Sequence, residues 1–384
     1  MKHIFIIGSK GIPAKYGGFE TFVHKLVEKQ CNKDIHYHIA CIGENNDEYV
    51  FNGASCFKVK LPKIGRAKAI LYDLLSLRRC IKYIEKNKFK DSIIYILACR
   101  IGPFMFLFKN RFNRNGIKVY VNPDGNEWNR KKWNYCIRKY WKYSERLMVK
   151  NSNLLICDSK VIENYIKKEY KVYSPDTVYI SYGADIRKPL LEDTDTKLIN
   201  WYAKNDLKKN EYYLMVGRFV PENNYELIIR EYMKTDAKKD LVIITNCEIN
   251  KYYLKLLKHT EFNRDKRIKF VGTMYDQEVM KKIRENAFGY VHGHEVGGTN
   301  PSLLEALSMT ILNIVFEVAF NREVCKDSVI YFSKSNNSFS NRIKEVEKLS
   351  ENQIEYYGEM AKKRIIDSYS WTTIINKYES VFLK

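Results

Sequence analysis

HIFIIGSKGIPAKYGGFETFVHKLVEKQ, residues 3–30, packs three messages into one stretch. Residues 3–7 read as a short buried strand, a glycine-rich turn follows, and Phe19 to Gln30 repeat apolar residues at helical spacing, with Phe22, Val23, Leu26 and Val27 on one face. Working outward, residues 35–42, 93–98, 117–121 and 153–157 are further strand candidates, with helical stretches at 66–88 and 129–150. Strands alternating with helices predict a parallel sheet covered on both faces. The rhythm restarts at YYLMVGRFVPENN, residues 212–224, where a strand ends in Gly217-Arg218 and a helix follows from about Tyr225. Residues 241–246, 268–271, 287–291, 311–316 and 329–332 continue it. The expected class is therefore α/β, with two Rossmann-like doubly wound domains. The boundaries read as 1–190, 191–365 and a helix over 366–384 that returns to the first domain. The polar, lysine-rich segment 186–210 reads as a linker.

Composition narrows the classes. At 384 residues the chain suits two domains better than one. Its net charge of +21 implies an anionic partner: nucleic acid, an acidic membrane surface or phosphorylated ligands. Nine cysteines without CxxC spacing fit a reduced, intracellular compartment. The apolar run at the N-terminus is too short for a signal sequence. No window approaches the ~18–20 apolar residues that span a bilayer, so membrane contact is expected to be peripheral.

Four constellations can carry chemistry. The first is Gly8–Pro13 with Tyr16-Gly17-Gly18, whose glycines let backbone approach a ligand at a helix start. It is neither a GxGxxG fingerprint nor a Walker loop, and an ordinary turn is its plain alternative. The second is Gly217–Asn224, where Arg218 follows a strand and can fork onto a diphosphate; a surface arginine is the alternative. The third is His292–Ala306, where Gly297, Gly298, Thr299 and Asn300 offer backbone N–H donors to phosphate and Glu305 sits one turn into the helix, within reach of ribose hydroxyls. The fourth is Asn122–Trp128: Asp124 and Glu127 can bond sugar hydroxyls and Trp128 can stack on a sugar face, or the stretch is a plain turn. The pairs His36/His38 and His292/His294 lack a third ligand at a recognised spacing, so no metal is expected. Trp128 to Lys150 holds eight Lys or Arg, six aromatics and one acid. That mixture suits an anionic lipid surface, nucleic acid, or a solvated helix face. Residues 63–90 add further Lys and Arg in the first half.

With these blocks in view, the chain resembles the glycosyltransferases of family 4, of GT-B fold, and more narrowly the rhamnosyltransferase branch of bacterial capsule and cell-wall synthesis. The resemblance lies in IIGSKGIPAKYGGFETFV, NPDGNEWNRKKW, ISYGAD, GRFVPENN and HGHEVGGTNPSLLEAL, in order along nearly the whole chain. It implies two domains facing a central cleft, the donor nucleotide held by the C-terminal one and the acceptor by the N-terminal one. Arg218 would bind the donor diphosphate and act in catalysis, Glu305 would bind the ribose, and Gly297, Gly298, Thr299 and Asn300 would line the sugar-phosphate pocket with His294. Gly17 and Gly18 would close it, Val271-Gly272 would seat the base, and Asp124 would lie by the transferred sugar as the second catalytic residue. Tyr16, Glu127 and Trp128 are the acceptor-binding candidates.

Two departures from the family stand out. Many members carry a lysine five residues after the arginine, where this chain has Asn223, counted here among the donor-binding residues. Eight residues before Glu305, where the broader family has a second glutamate, stands Gly297; Glu295 is displaced by two more and takes no catalytic role.

The resemblance further implies a retaining transfer of L-rhamnose from dTDP-L-rhamnose to a lipid-diphosphate-linked sugar, glucose in β-1,4 linkage. No cofactor and no metal are implied, and no nucleic-acid partner is expected. The place implied is the cytoplasm, on the inner face of the membrane. Three alternatives stay open: a family 4 enzyme using a UDP-hexose, a glycan phosphorylase (whose lysine for pyridoxal phosphate cannot be identified), and a non-catalytic nucleic-acid-binding protein.

Overall fold

The run IIYIL is buried along its whole length as strand β5 (Ile93–Leu97), which explains why it shows no polar alternation: both faces of a parallel sheet are covered by helices. In the computed structural model, which describes residues 1–14, 17–62, 65, 67–130 and 133–384, the chain divides into two units. The first is Met1–Gly183 with Gly297–Thr299 and Trp371–Lys384; the second is Ala184–Val296 with Asn300–Ser370.

The first unit is built on β1 (Lys2–Ile7), β2 (Ile35–Gly43), β3 (Glu48–Phe51), β4 (Ala54–Lys60), β5, β6 (Lys118–Asn122), β7 (Leu154–Cys157) and β8 (Thr177–Tyr179), in the order β3-β4-β2-β1-β5-β6-β7-β8. All neighbours run parallel except β3 and β4, a hairpin turned at Asn52-Gly53 with both residues in the left-handed region. Sequence reading omitted this hairpin, although an Asn-Gly pair between two strand-forming runs is its signature. One face buries Phe5, Ile7, Ile94, Ile96, Val119 and Val121. On another side, Phe22 of helix Gly18–Glu28 packs its ring on Tyr378, and Tyr95 lies against Tyr378 and Phe382 of helix Trp371–Leu383. That last helix is tied down by Glu379, whose two carboxylate oxygens accept the Cys31 and Asn32 backbone N–H groups (3.0 and 2.9 Å).

The second unit contains β9 (Tyr212–Val216), β10 (Asp240–Ile244), β11 (Ile268–Phe270), β12 (Gly289–His292), β13 (Asn313–Phe316) and β14 (Ile330–Phe332). They run parallel in the order β11-β10-β9-β12-β13-β14, the Rossmann order, with its reversal between β9 and β12. Both sheet faces carry buried clusters, one around Tyr213, Ile228, Ile243 and Ile314, the other around Leu214, Val242, Ile283 and Tyr290. The segment read as a linker is corrected here. Residues Thr196–Asn205 form a helix capped by Asp195, and its Leu198 and Trp201, with Leu207 beyond, are buried in the second unit's core. Three apolar side chains among many lysines are enough to seat it. The expected helix over 129–150 also starts later: Glu127–Asn129 form a 3-10 turn, and Asn134 caps Tyr135–Asn151 by accepting from the Ile137 N–H (3.0 Å). No described helix is long and apolar enough to cross a membrane.

Candidate active site

In an open α/β sheet, ligands bind beyond the carboxyl ends of the strands, where the strand order reverses. In the second unit that place lies beyond β9 and β12, so Gly217–Asn224 and His292–Glu295 are its two walls. They are stitched together. Asn224 Nδ2 donates to the Gly293 carbonyl (2.8 Å), and Glu295 N donates to the Glu222 carbonyl (2.9 Å). Gly293 is required by this approach, because a Cβ there would stand 2.2 Å from the Asn223 carbonyl oxygen. Asn223 is buried, not presented to a ligand: its Nδ2 donates to the Arg218 carbonyl (2.7 Å) and its Oδ1 lies 2.8 Å from His294 Nδ1. Tyr225 O–H adds a second bond to the same carbonyl (3.2 Å). The Arg218 backbone is thus fixed while its side chain is exposed and enters no ion pair among the described residues. His294 is buried as well, and burial holds neighbouring His292 well below its ordinary pKa, hence neutral.

The helix Pro301–Met309 opens beside these walls. Asn300 caps it, accepting from the Ser302 N–H (2.9 Å), and Pro301 holds the first helical position. Ser302 Oγ lies 2.9 Å from the Tyr290 hydroxyl, which reaches the Val216 carbonyl at 3.2 Å, so the helix start is anchored to the end of β9. Glu305 is partly exposed, and its Oε2 is paired with the buried Arg284 (2.6 Å). Val271 and Gly272 follow β11, where the Gly272 carbonyl accepts from Thr245 N (2.9 Å). Glu295 forms an ion pair with Lys334 and accepts from Asn224 Nδ2 (3.1 Å), so its carboxylate is already engaged.

Other expected residues belong to the first unit. Thr299, in the segment Gly297–Thr299, donates its hydroxyl to the Asp158 carbonyl (2.5 Å), and a Cβ on Gly298 would meet the Asp158 carboxylate at 2.0 Å. Asp124 adopts positive φ; its N–H is held by Asn122 Oδ1 (2.8 Å) and its own Oδ1 accepts from Gly125 N (2.9 Å). With Ala98, Glu127, Trp128, Trp141 and Glu145 it lines a narrow pocket, in which burial raises the Glu145 carboxyl above its ordinary range. Two acceptor candidates are already engaged there. Glu127 pairs with Arg130 and accepts from Trp133 Nε1 (2.8 Å), while one side of Trp128 carries the Lys142 ammonium 4.7 Å from its ring centre. Gly17, at positive φ, begins the helix Gly18–Glu28, whose Glu20 accepts from the Lys10 N–H (2.8 Å). A Cβ on Gly17 would strike that carboxylate at 1.9 Å, so an internal anion already sits where the sequence suggested N–H groups awaiting a ligand. Tyr16 lies outside the described residues, as do Lys131 and Lys132 of the basic stretch.

At the first sheet's own reversal, between β1 and β5, the Arg100 guanidinium donates to the carbonyls of Gly8 (3.0 Å) and Leu97 (3.2 Å) and to buried Asp73 (3.1 Å). Among the described residues no three His, Cys, Asp or Glu side chains converge on a common point as a metal site requires. His38 instead stacks on Phe5 (4.2 Å) and meets His3 (3.0 Å between ring nitrogens).

Residues 200–364 match the family described as Glycosyl transferases group 1, and residues 1–185 match one described as Domain of unknown function (DUF1972). The second half is thus similar to a group 1 glycosyltransferase domain. Arg218, Asn300 and Glu305 lie within the matched residues. Solved structures agree on the fold. A sucrose-phosphate synthase from Thermosynechococcus elongatus superposes with a TM-score of 0.80 at 14% identity, over 99% of this chain and 98% of that one. An alpha,alpha-trehalose-phosphate synthase (UDP-forming) from Burkholderia xenovorans, in complex with glucose-6-phosphate, gives 0.74 at 9%, covering all of both chains. A glycosyltransferase from Rickettsia africae ESF-5 gives 0.73 at 12%, over 99% and 97%. At such identities the likeness is one of fold: two Rossmann-like sheets of GT-B type. No curated protein sequence matches the chain.

Proposed function

We propose that the chain is a retaining, metal-independent glycosyltransferase that moves L-rhamnose from dTDP-L-rhamnose to a lipid-diphosphate-linked sugar at an anionic membrane surface. The observation that carries the transferase reading is Arg218. Its backbone is fixed by Asn223 and Tyr225 at the reversal of the glycosyltransferase domain's sheet, while its guanidinium is left exposed. A preorganised cation there stabilises charge as it develops on a departing diphosphate, which lowers the barrier more than it tightens ground-state binding. The N–H groups of Ser302, Leu303 and Leu304 are taken up by Asn300, so the helix Pro301–Met309 adds to that field through its dipole alone. Glu305 takes a sugar hydroxyl of the nucleoside, and Val271-Gly272 seats the base. In the reaction the bond from the sugar's anomeric carbon to the diphosphate oxygen breaks as the acceptor oxygen attacks from the same face. The acceptor proton passes to a donor phosphate oxygen. Asp124 and the pocket around it, in the first unit, are assigned to sugar binding.

The sequence blocks shared with the rhamnosyltransferase branch carry the choice of rhamnose. The membrane partner rests on the helix Tyr135–Asn151, where Tyr135, Lys139, Tyr143, Arg146 and Lys150 recur every three or four residues and are all exposed. A second reading, a UDP-hexose donor, is favoured by the UDP-forming synthase among the fold relatives. A donor panel in EDTA, with a lipid-diphosphate-glucose acceptor analogue, separates the two. Transfer from dTDP-rhamnose alone supports the first reading, and transfer from a UDP-sugar alone replaces it by the second. Absence of transfer from every donor sinks both.

A further inference from the structure

Arg284 and Glu305 come from different helices, Gln277–Glu285 and Pro301–Met309, and meet through a single carboxylate oxygen. Arg284 Nη2 stands 2.6 Å from Glu305 Oε2 and 3.5 Å from Ser302 Oγ. Its backbone is held by Thr310, whose hydroxyl donates to the Arg284 carbonyl (2.9 Å). The two partners differ in exposure: the Arg284 side chain is 5% accessible and Glu305 35%. Glu305 Oε1 accepts no hydrogen bond among the described residues, so one oxygen is committed inward and the other is open. The Arg284 Nε–H, also buried, has no partner among the described residues.

A carboxylate with both oxygens free can accept from both hydroxyls of a ribose 2′,3′-diol, one per oxygen. A carboxylate with one oxygen turned onto a buried guanidinium presents only its other oxygen fully open and in fixed orientation, an arrangement that favours a single sugar hydroxyl over a diol that needs both oxygens. We propose that Arg284 is a specificity-determining residue that makes this glycosyltransferase domain accept 2′-deoxynucleoside diphosphates as readily as ribonucleoside diphosphates. This rests on the reading above in which Glu305 faces the sugar of the donor nucleotide. It does not depend on which base or which transferred sugar the donor carries.

The test is a calorimetric titration of the full chain with four ligands: UDP, 2′-deoxyuridine diphosphate, 5-methyluridine diphosphate and dTDP. The set varies base and sugar independently. Within each base, the ribo and deoxy forms are expected to bind the wild-type protein within about 3-fold of each other. Freeing the second oxygen by Arg284→Met is expected to create a preference for the ribo forms of about 10-fold or more, the worth of one hydrogen bond to a charged group. Glu305→Gln, an isosteric change whose amide oxygen can still accept from Arg284, should weaken ribo and deoxy forms by the same factor and serves as the second test if the arginine variant unfolds. A wild-type preference of 10-fold or more for ribo forms overturns the inference while leaving nucleotide binding standing. So does a folded Arg284→Met variant that still does not discriminate, or unequal losses in Glu305→Gln. If none of the four ligands binds, the nucleotide-sugar reading itself falls.

Discussion

Replacing Asn223 by alanine tests how the arginine loop is held. The side chain is buried and bridges two loops, donating to the Arg218 carbonyl (2.7 Å) and meeting His294 Nδ1 (2.8 Å). Each such bond contributes about 1 kcal/mol net, and a buried polar group deprived of its partner costs about 1–3 kcal/mol. The Arg218 carbonyl keeps Tyr225 O–H and Val220 N as donors, so the larger loss falls on the His294 side. The total comes to about 2–3 kcal/mol, which for a domain of this size lowers its Tm by roughly 5–10 °C. Because the same bonds fix the backbone that carries Arg218, donor affinity should drop by about 10-fold as the loop must be ordered on binding. Asn223→Lys, which restores the residue common in related enzymes, should destabilise similarly and give no gain in turnover, since the position is enclosed. Calorimetric unfolding and donor titration read both effects. A change below about 0.5 kcal/mol, with donor affinity unaltered, would refute the idea that Asn223 holds the loop.

Three further outcomes are expected. Arg218→Ala should leave Tm within about 1–2 °C, since the exposed side chain enters no ion pair among the described residues, yet lower turnover by roughly two to three powers of ten in the transfer assay. Reversing charge at Lys139, Arg146 and Lys150 together should abolish flotation with anionic vesicles and spare binding of the donor nucleotide; unchanged flotation would remove the membrane face. Burial raises the Asp73 carboxyl to about 6, the Arg100 guanidinium offsetting this only in part, so folding favours its protonated form. Its contribution to stability is therefore full below pH ~4 and is lost as pH rises through ~6, an effect of about 2–3 kcal/mol that Asp73→Asn should erase from the wild-type pH profile of unfolding.

The parallel strands were legible because burial on both faces leaves unbroken apolar runs such as IIYIL and YYLMV. The start of helix Pro301–Met309 was equally plain from Asn300-Pro301. What escaped was encoded more sparsely. The helix Thr196–Asn205 hides behind its lysines because only a few apolar side chains, Leu198 and Trp201 foremost, anchor it. Arg284 gives no local sign of its task, since its partner lies on another helix and only tertiary packing brings them together. The inward turns of Arg130, Arg138 and Lys142 are invisible for the same reason, and they move the cationic face to the Lys139, Arg146 and Lys150 side of the helix. Asn223, counted with the donor-binding residues from its place in the family pattern, is buried and braces the Arg218 loop through a contact with His294 that its neighbours in sequence do not signal.

The helix Trp371–Leu383 belongs to the first unit, whose other residues stop at Gly183 apart from Gly297–Thr299. During synthesis the ribosome must make the whole second unit before Tyr378, Phe382 and Glu379 can reach the rings and N–H groups awaiting them. At about 5–20 residues per second that delay lasts roughly ten to forty seconds. Throughout it, Phe22 and Tyr95 lack part of their cover. The second unit, made as one nearly unbroken stretch, is free to fold first, so this protein assembles its later half before completing its earlier one.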